Sequence, residues 1–120
     1  MIQIQLKRVY DPVDATDGVR ILVDRLWPRG FTKERLQADL WLKDLAPSPA
    51  LIRRYHQHEI SWQEFKTIYE SELELQTNAI QELFEMANRE IITLLFAARD
   101  RDQNQSIILR DYLLSMATSL

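Results

Sequence analysis

The sequence predicts an α/β fold: a small mixed or parallel sheet of three to four strands, flanked by four to five helices in a single compact domain. Three observations carry that prediction. Ile2, Ile4 and Leu6 alternate with Gln3, Gln5 and Lys7, the two-residue period of a strand with one wet face. VRILVDRL (19–26) is apolar on both parities, and IITLLFAA (91–98) is a continuous apolar run of strand length, as in a strand covered on both sides. Between and after these runs lie segments of helical period, so the order reads β-β-(β)-α-α-α-β-α, with parallel and antiparallel pairs expected to mix. At 120 residues the chain has the length of one domain, 1–120. Surface scaling lets a chain of this size bury about two-thirds of its unfolded surface, enough for one core.

The elements follow in order. A first strand covers 2–9, and Asp17-Gly18 marks a tight turn before the second. The second strand ends near Arg25, stopped by Pro28 and Gly30. Thr32 can cap a short helix from Lys33, with Glu34 favourable in its first turn. Residues 40–45 (LWLKDL) fit either a short strand or a loop anchored by Trp41. Ser48 as N-cap and Pro49 at the first helical position start a helix that runs through Arg54. Ser61-Trp-Gln-Glu is a capping box, and behind it Trp62, Phe65, Tyr69 and Leu73 form one stripe assigned to the core. A further helix spans about 78–88, with Ile80, Leu83, Phe84 and Ala87 inward, and an amphipathic helix over 106–117 follows the last strand, with Asn104 as its natural N-cap. Glu70, Glu72 and Glu74 share no helix face and read as solvated surface.

Small counts exclude much chemistry. With no Cys, thiolate zinc sites, iron–sulfur clusters, disulfides and Cys nucleophiles are ruled out. Two glycines twelve positions apart, Gly18 and Gly30, cannot build a dinucleotide or Walker-type phosphate loop. His56 and His58 point to different sides of a helix, so no metal site and no cofactor is expected. No Gly-x-Ser-x-Gly elbow presents a serine nucleophile.

The net charge of −3 argues against a nucleic-acid coat protein or a polybasic membrane binder. That average hides a division. Residues 1–60 carry a net +2 and residues 61–120 a net −5. Within 20–54, eight cations face four anions, so one basic surface is expected on an acidic protein. No apolar run approaches the ~18 residues of a membrane span, and the N-terminus lacks a signal-peptide core, so a cytoplasmic location is expected.

Ligands of open α/β sheets sit outside the carboxyl ends of strands. That rule singles out DRLWPRGFTKE (24–34), which sets Asp24, Arg25, Trp27, Arg29 and Lys33 around Pro28 and Gly30. Arg offers a planar fork of donors for phosphate or carboxylate, and Trp offers a face for stacking. The reading is an anion pocket for a nucleotide or phosphorylated metabolite. Arg25, Arg29 and Lys33 hold the anion, and Trp27 walls the rest. Asp24 orients an Arg, its carboxyl held low by that cation, or serves as a base. In the structural reading of the same cluster, Trp27 plugs the end of the core and Arg25 or Arg29 pairs with Asp24 or Asp44. The second candidate segment, AARDRDQNQS (97–106), follows the buried strand and contributes Arg99. The alternative function is a nonenzymatic nucleic-acid or protein adaptor that docks through the cations of 20–54.

KRVYD (7–11), RILVDRLWPRG (20–30), WLKDLAPS (41–48), the W-x-x-F-x-x-x-Y-x-x-E-L pattern (62–73) and AARD…N (97–104) resemble the YeaO-like family of small bacterial proteins, domain of unknown function 488. The resemblance spans nearly the whole chain and implies a compact α/β domain without implying a reaction. It adds weight to Asp24, Arg25, Trp27, Pro28, Arg29, Gly30 and Lys33 in the central signature, and to Trp41, Lys43, Pro47 and Ser48 in a second block. Lys43 and Ser48 therefore join the candidate ligand contacts. Relatives often carry a His where this chain has Gln57, and another where it has Gln103, with Ala in place of Ser106. An acid–base activity built on either His would lack its group here.

Overall fold

The computed structural model describes residues 2–118. Four strands form one sheet: β1 (Ile4–Arg8), β2 (Val19–Leu22), β3 (Leu40–Trp41) and β4 (Ile92–Phe96). Their spatial order is β1-β4-β2-β3, and every pairing among the described residues is parallel, so of the mixed or parallel sheet expected the parallel form is the one present. The reason lies in the connections, each of which crosses over and returns the chain to the same end of the sheet, so that successive strands run in one direction. β4 sits between β1 and β2, and all five of its residues are buried, as its unbroken apolar run requires.

Alternation along the strands separates two cores. Ile21, Val23, Ile92 and Leu94 face a large cluster built with α2 (Pro49–His56), α3 (Trp62–Glu74), α4 (Thr77–Arg89) and α5 (Gln105–Thr118). Leu22 and Leu95 point to the opposite face and meet Val9, Phe31 and Leu36, the last from the single-turn helix α1 (Lys33–Leu36). The sheet is therefore covered on both sides, four helices against one turn.

Among the described residues, the fully buried charged side chains, Asp17 and Arg20, lie on the thinner face. Arg20 donates to Asp17 Oδ2 at 2.6 Å, to Leu36 O at 2.8 Å and to Gln37 O at 3.0 Å, fastening β2 to the end of α1. Lys7 Nζ lies 2.7 Å from Asp17 Oδ1, and the Thr93 hydroxyl donates to Asp17 O at 2.7 Å. Asp17 is thus paired with two cations.

The expected caps are present. Ser48, Ser61 and Thr32 accept from the backbone of Leu51, Glu64 and Arg35, and Asn104 Oδ1 accepts from Ser106 N at 3.0 Å at the start of α5. Residues 40–45 divide between the two-residue β3 and a 3-10 turn over Lys43–Leu45. The second strand stops at Leu22, earlier than the sequence suggested, because the Asp24 carboxylate takes the Ala97 amide at 2.9 Å and displaces the backbone ladder. Glu72 is a further correction: it accepts from Ser48 N at 2.8 Å and Ser48 Oγ at 2.7 Å, tying α3 to the start of α2 rather than lying free in solvent. Among the described residues, no helix is long and apolar enough to cross a membrane.

Candidate functional site

A cleft of about 890 Å³ opens at the carboxyl ends of β2 and β4, the two central strands. One side is the loop after β2, with Asp24, Arg25, Leu26, Trp27, Pro28 and Arg29. Facing it are Arg53, Tyr55 and His56 of α2, with Trp62 and Phe65 of α3. The loop after β4 closes the third side with Ala97, Ala98, Gln103 and Asn104, and Gln105 at the head of α5 joins it. Arg8 donates to Ala98 O at 2.9 Å, and Arg101 grips Asp11 through two hydrogen bonds of 2.8 and 3.0 Å, so this third side is pinned to the end of β1.

The cleft is polarised from floor to mouth. Asp24 is half-buried at the floor, where Oδ2 accepts from Ala97 N and Oδ1 accepts from the Gln105 amide. Burial pushes its carboxyl up to about 6, against the pull of those two hydrogen bonds. This reverses the lowered value expected from a neighbouring Arg. The cause is geometric: Arg25 turns away and donates to Ala46 O at 3.1 Å and Pro47 O at 3.3 Å, so no guanidinium compensates the Asp24 charge. Arg29 and Arg53 are exposed at the mouth, and neither side chain has a hydrogen bond or ion pair among the described residues.

Between floor and mouth stands an aromatic wall. Tyr55 lies 4.9 Å from Phe65 and 5.8 Å from Trp62 between ring centroids, while Trp62 and Phe65 stack at 5.6 Å. The Tyr55 hydroxyl donates to Gln103 Oε1 at 3.1 Å, a polar tie between α2 and the loop after β4. On the opposite side, Trp27 is fixed by its indole N–H donating to Phe31 O at 2.7 Å and by edge contact with Trp41 at 5.6 Å.

Of the residues singled out from sequence, Asp24, Arg25, Trp27 and Arg29 converge on this cleft. The other four lie elsewhere. Lys33 is exposed at the start of α1, Lys43 sits over the Trp41 ring at 4.9 Å, and Arg99 is exposed beyond β4. Ser48 caps α2 and lines a separate hollow of about 270 Å³ with Glu72 and Tyr69, on the other side of Arg25. Tyr55 and Gln105 also line the cleft, and no sequence signal marks them; Arg53, read from sequence only as one of the cations of 20–54, and His56, weighed only as a metal ligand, join them. Trp62 and Phe65, which the helical stripe assigns to the core, also border the cleft, and Phe65 is buried as well. Gln57 and Gln103, which stand where the resemblance puts His in relatives, both line it. Among the described residues, no group of three or more His, Asp or Glu is placed to hold a metal ion.

A family model described as the inactive DUF488-N3 subclade matches residues 3–119. The chain belongs to the DUF488 family. Within it, the uncharacterized protein YeaO of Escherichia coli (strain K12) is 40% identical over 115 residues, 96% of this chain and all of that protein. Uncharacterized proteins of Mycobacterium tuberculosis (strain H37Rv) and Mycobacterium bovis are 34% identical over 111 residues, 92% of this chain and 93% of theirs. No solved structure matches this DUF488 chain.

Proposed function

We propose that this DUF488 protein binds an anionic small molecule with an aromatic body, a nucleotide or phosphorylated metabolite, in the cleft at the DRLWPRG loop, without turning it over. The observation that carries this reading is the pairing of two uncompensated guanidiniums, Arg29 and Arg53, with the Tyr55–Trp62–Phe65 wall in one cavity. Each charge-assisted contact is worth about 1.5–3 kcal/mol, and the wall supplies apolar area that phosphate alone would not need. Clefts of this size are typical of small-molecule sites. The description of the matching subclade as inactive, and Gln at both cleft positions where the family resemblance implies His, support binding over catalysis. A catalytic reading would rest on Asp24, whose carboxyl exchanges its proton near neutrality. The adaptor alternative has less support, since Arg20 is buried against Asp17 and Arg25 spends its donors on carbonyls.

Calorimetric titration with nucleoside mono- and diphosphates tests the reading. Arg29→Ala and Arg53→Ala should each weaken binding by about tenfold or more, with the unfolding free energy changed by less than about 0.5 kcal/mol. Absence of binding at millimolar ligand, or affinity indifferent to both substitutions, would overturn it.

A further inference from the structure

Resting on that reading, we infer that the cleft floor selects the ligand's ring by the edge formed of a 2-amino group and the adjacent ring N–H, a pair of neighbouring donors shared by guanine nucleotides (2-amino-6-oxo) and acidic pterins (2-amino-4-oxo). An ionised carboxylate has about four acceptor positions, two on each oxygen. At Asp24 one position on Oδ2 is filled by the Ala97 amide and one on Oδ1 by the Gln105 amide. One position therefore remains on each oxygen, in a half-buried group that lines the cleft. Two acceptor atoms on one carboxylate match two adjacent donors, the pairing that carboxylates make bidentately.

Alternatives fit the cleft less well. Adenine presents one donor beside an acceptor, and its acceptor would face a carboxylate lone pair. A free guanidinium offers the right donors, but as a cation it meets Arg25, Arg29 and Arg53 around the same cavity. A ring with an anionic tail uses both ends: donors toward Asp24, negative charge toward Arg29 and Arg53, and its π face against Tyr55 and Trp62. With its carboxyl at about 6, Asp24 is ionised at pH 7.5 and able to accept both bonds.

The experiment is competitive calorimetry on the full chain at pH 7.5 with GMP, IMP, AMP and pterin-6-carboxylate. GMP is expected to bind about tenfold or more tighter than AMP, and IMP, which lacks the 2-amino donor, should fall between them. Asp24→Asn offers one acceptor and one donor, so the GMP to AMP ratio should collapse to below about threefold. Arg29→Ala should weaken both nucleotides and leave their ratio intact. The pterin arm identifies the source of the edge: the tighter of GMP and pterin-6-carboxylate is the one the cleft accommodates. Equal affinity for GMP, IMP and AMP in the unmodified protein overturns the inference and leaves anion binding standing, whereas no binding of any ligand removes both. The comparison of nucleotides needs no variant, so a misfolded Asp24→Asn would not shield the inference.

Discussion

At the residue scale Asp24 concentrates the cost of the site. Below about pH 3.8 its carboxyl is neutral in the folded and unfolded chain alike. Between there and about 6 the unfolded chain releases the proton first, and above 6 the folded chain carries the full cost of a buried charge. Stability from this group is therefore lost as pH rises. The displacement of about two pH units corresponds to at most about 3 kcal/mol. Asp24→Asn should accordingly stabilise the protein at pH 7.5 by up to about 3 kcal/mol in urea unfolding, with the gain vanishing near pH 4. The Gln105 amide can turn over to present its oxygen to the new amide, which preserves the hydrogen bond. A loss of stability at pH 7.5 would contradict this account. The glycines give a second prediction at this scale. Gly18 has φ +65°, and a Cβ there would sit 2.0 Å from Ile91 O, the acceptor of the first β2 ladder bond from Val19. Gly30 has φ +83° with open space around it. Gly18→Ala should cost more than about 3 kcal/mol, and Gly30→Ala about 1–2 kcal/mol, measured by chemical denaturation.

At the element scale, local signals were legible and their long-range partners were not. Ser48, Pro49 and the Ser61 capping box place helix starts by chemistry contained within four residues, and the structure has them where the sequence put them. The partner of Ser48 is Glu72, 24 residues away on another helix, and no periodicity announces it. The end of β2 shows the same limit: residues 19–26 look like continuous strand, but the carboxylate of Asp24 captures an amide 73 positions later and stops the ladder. The Ser48–Glu72 contact yields a prediction. Ser48→Ala should destabilise by about 1–2 kcal/mol, and a double-mutant cycle with Glu72→Ala should show a coupling of at least about 0.5 kcal/mol. Additive losses would mean that the cap and the carboxylate act independently.

At the scale of the whole molecule, the α/β class and the buried final strand were readable because an apolar run with no wet parity has only one stable place, inside a sheet covered on both faces. The cleft was half readable. The rule for carboxyl ends of strands led to Asp24, Arg25, Trp27 and Arg29, all of which line it. Tyr55 and Trp62 were hidden because a helical stripe identifies an inward face without saying whether its edge meets packed core or a cavity. The buried Asp17 hub joins β1, β2 and α1 through Lys7 and Arg20. Asp17→Ala would leave Arg20 buried without its counter-charge, and should lower the unfolding free energy by about 3–5 kcal/mol while leaving the cleft residues in place. Retention in the folded fraction of the affinity proposed for the cleft would show that hub and cleft are separable.

The position of β4 also sets a timetable. Among the described residues, 92–96 are the only strand partners of β1 and the central partners of β2, although both precede them by some seventy residues or more. During synthesis the first two strands leave the ribosome with their apolar edges unmatched, and the sheet closes only after the penultimate element arrives. Folding is then dominated by contacts distant in sequence, a topology that slows formation and leaves incomplete chains prone to aggregate. A chain released after residue 90 should be protease-sensitive throughout, and extension to 118 should confer protection on β1 and β2 together in a single step.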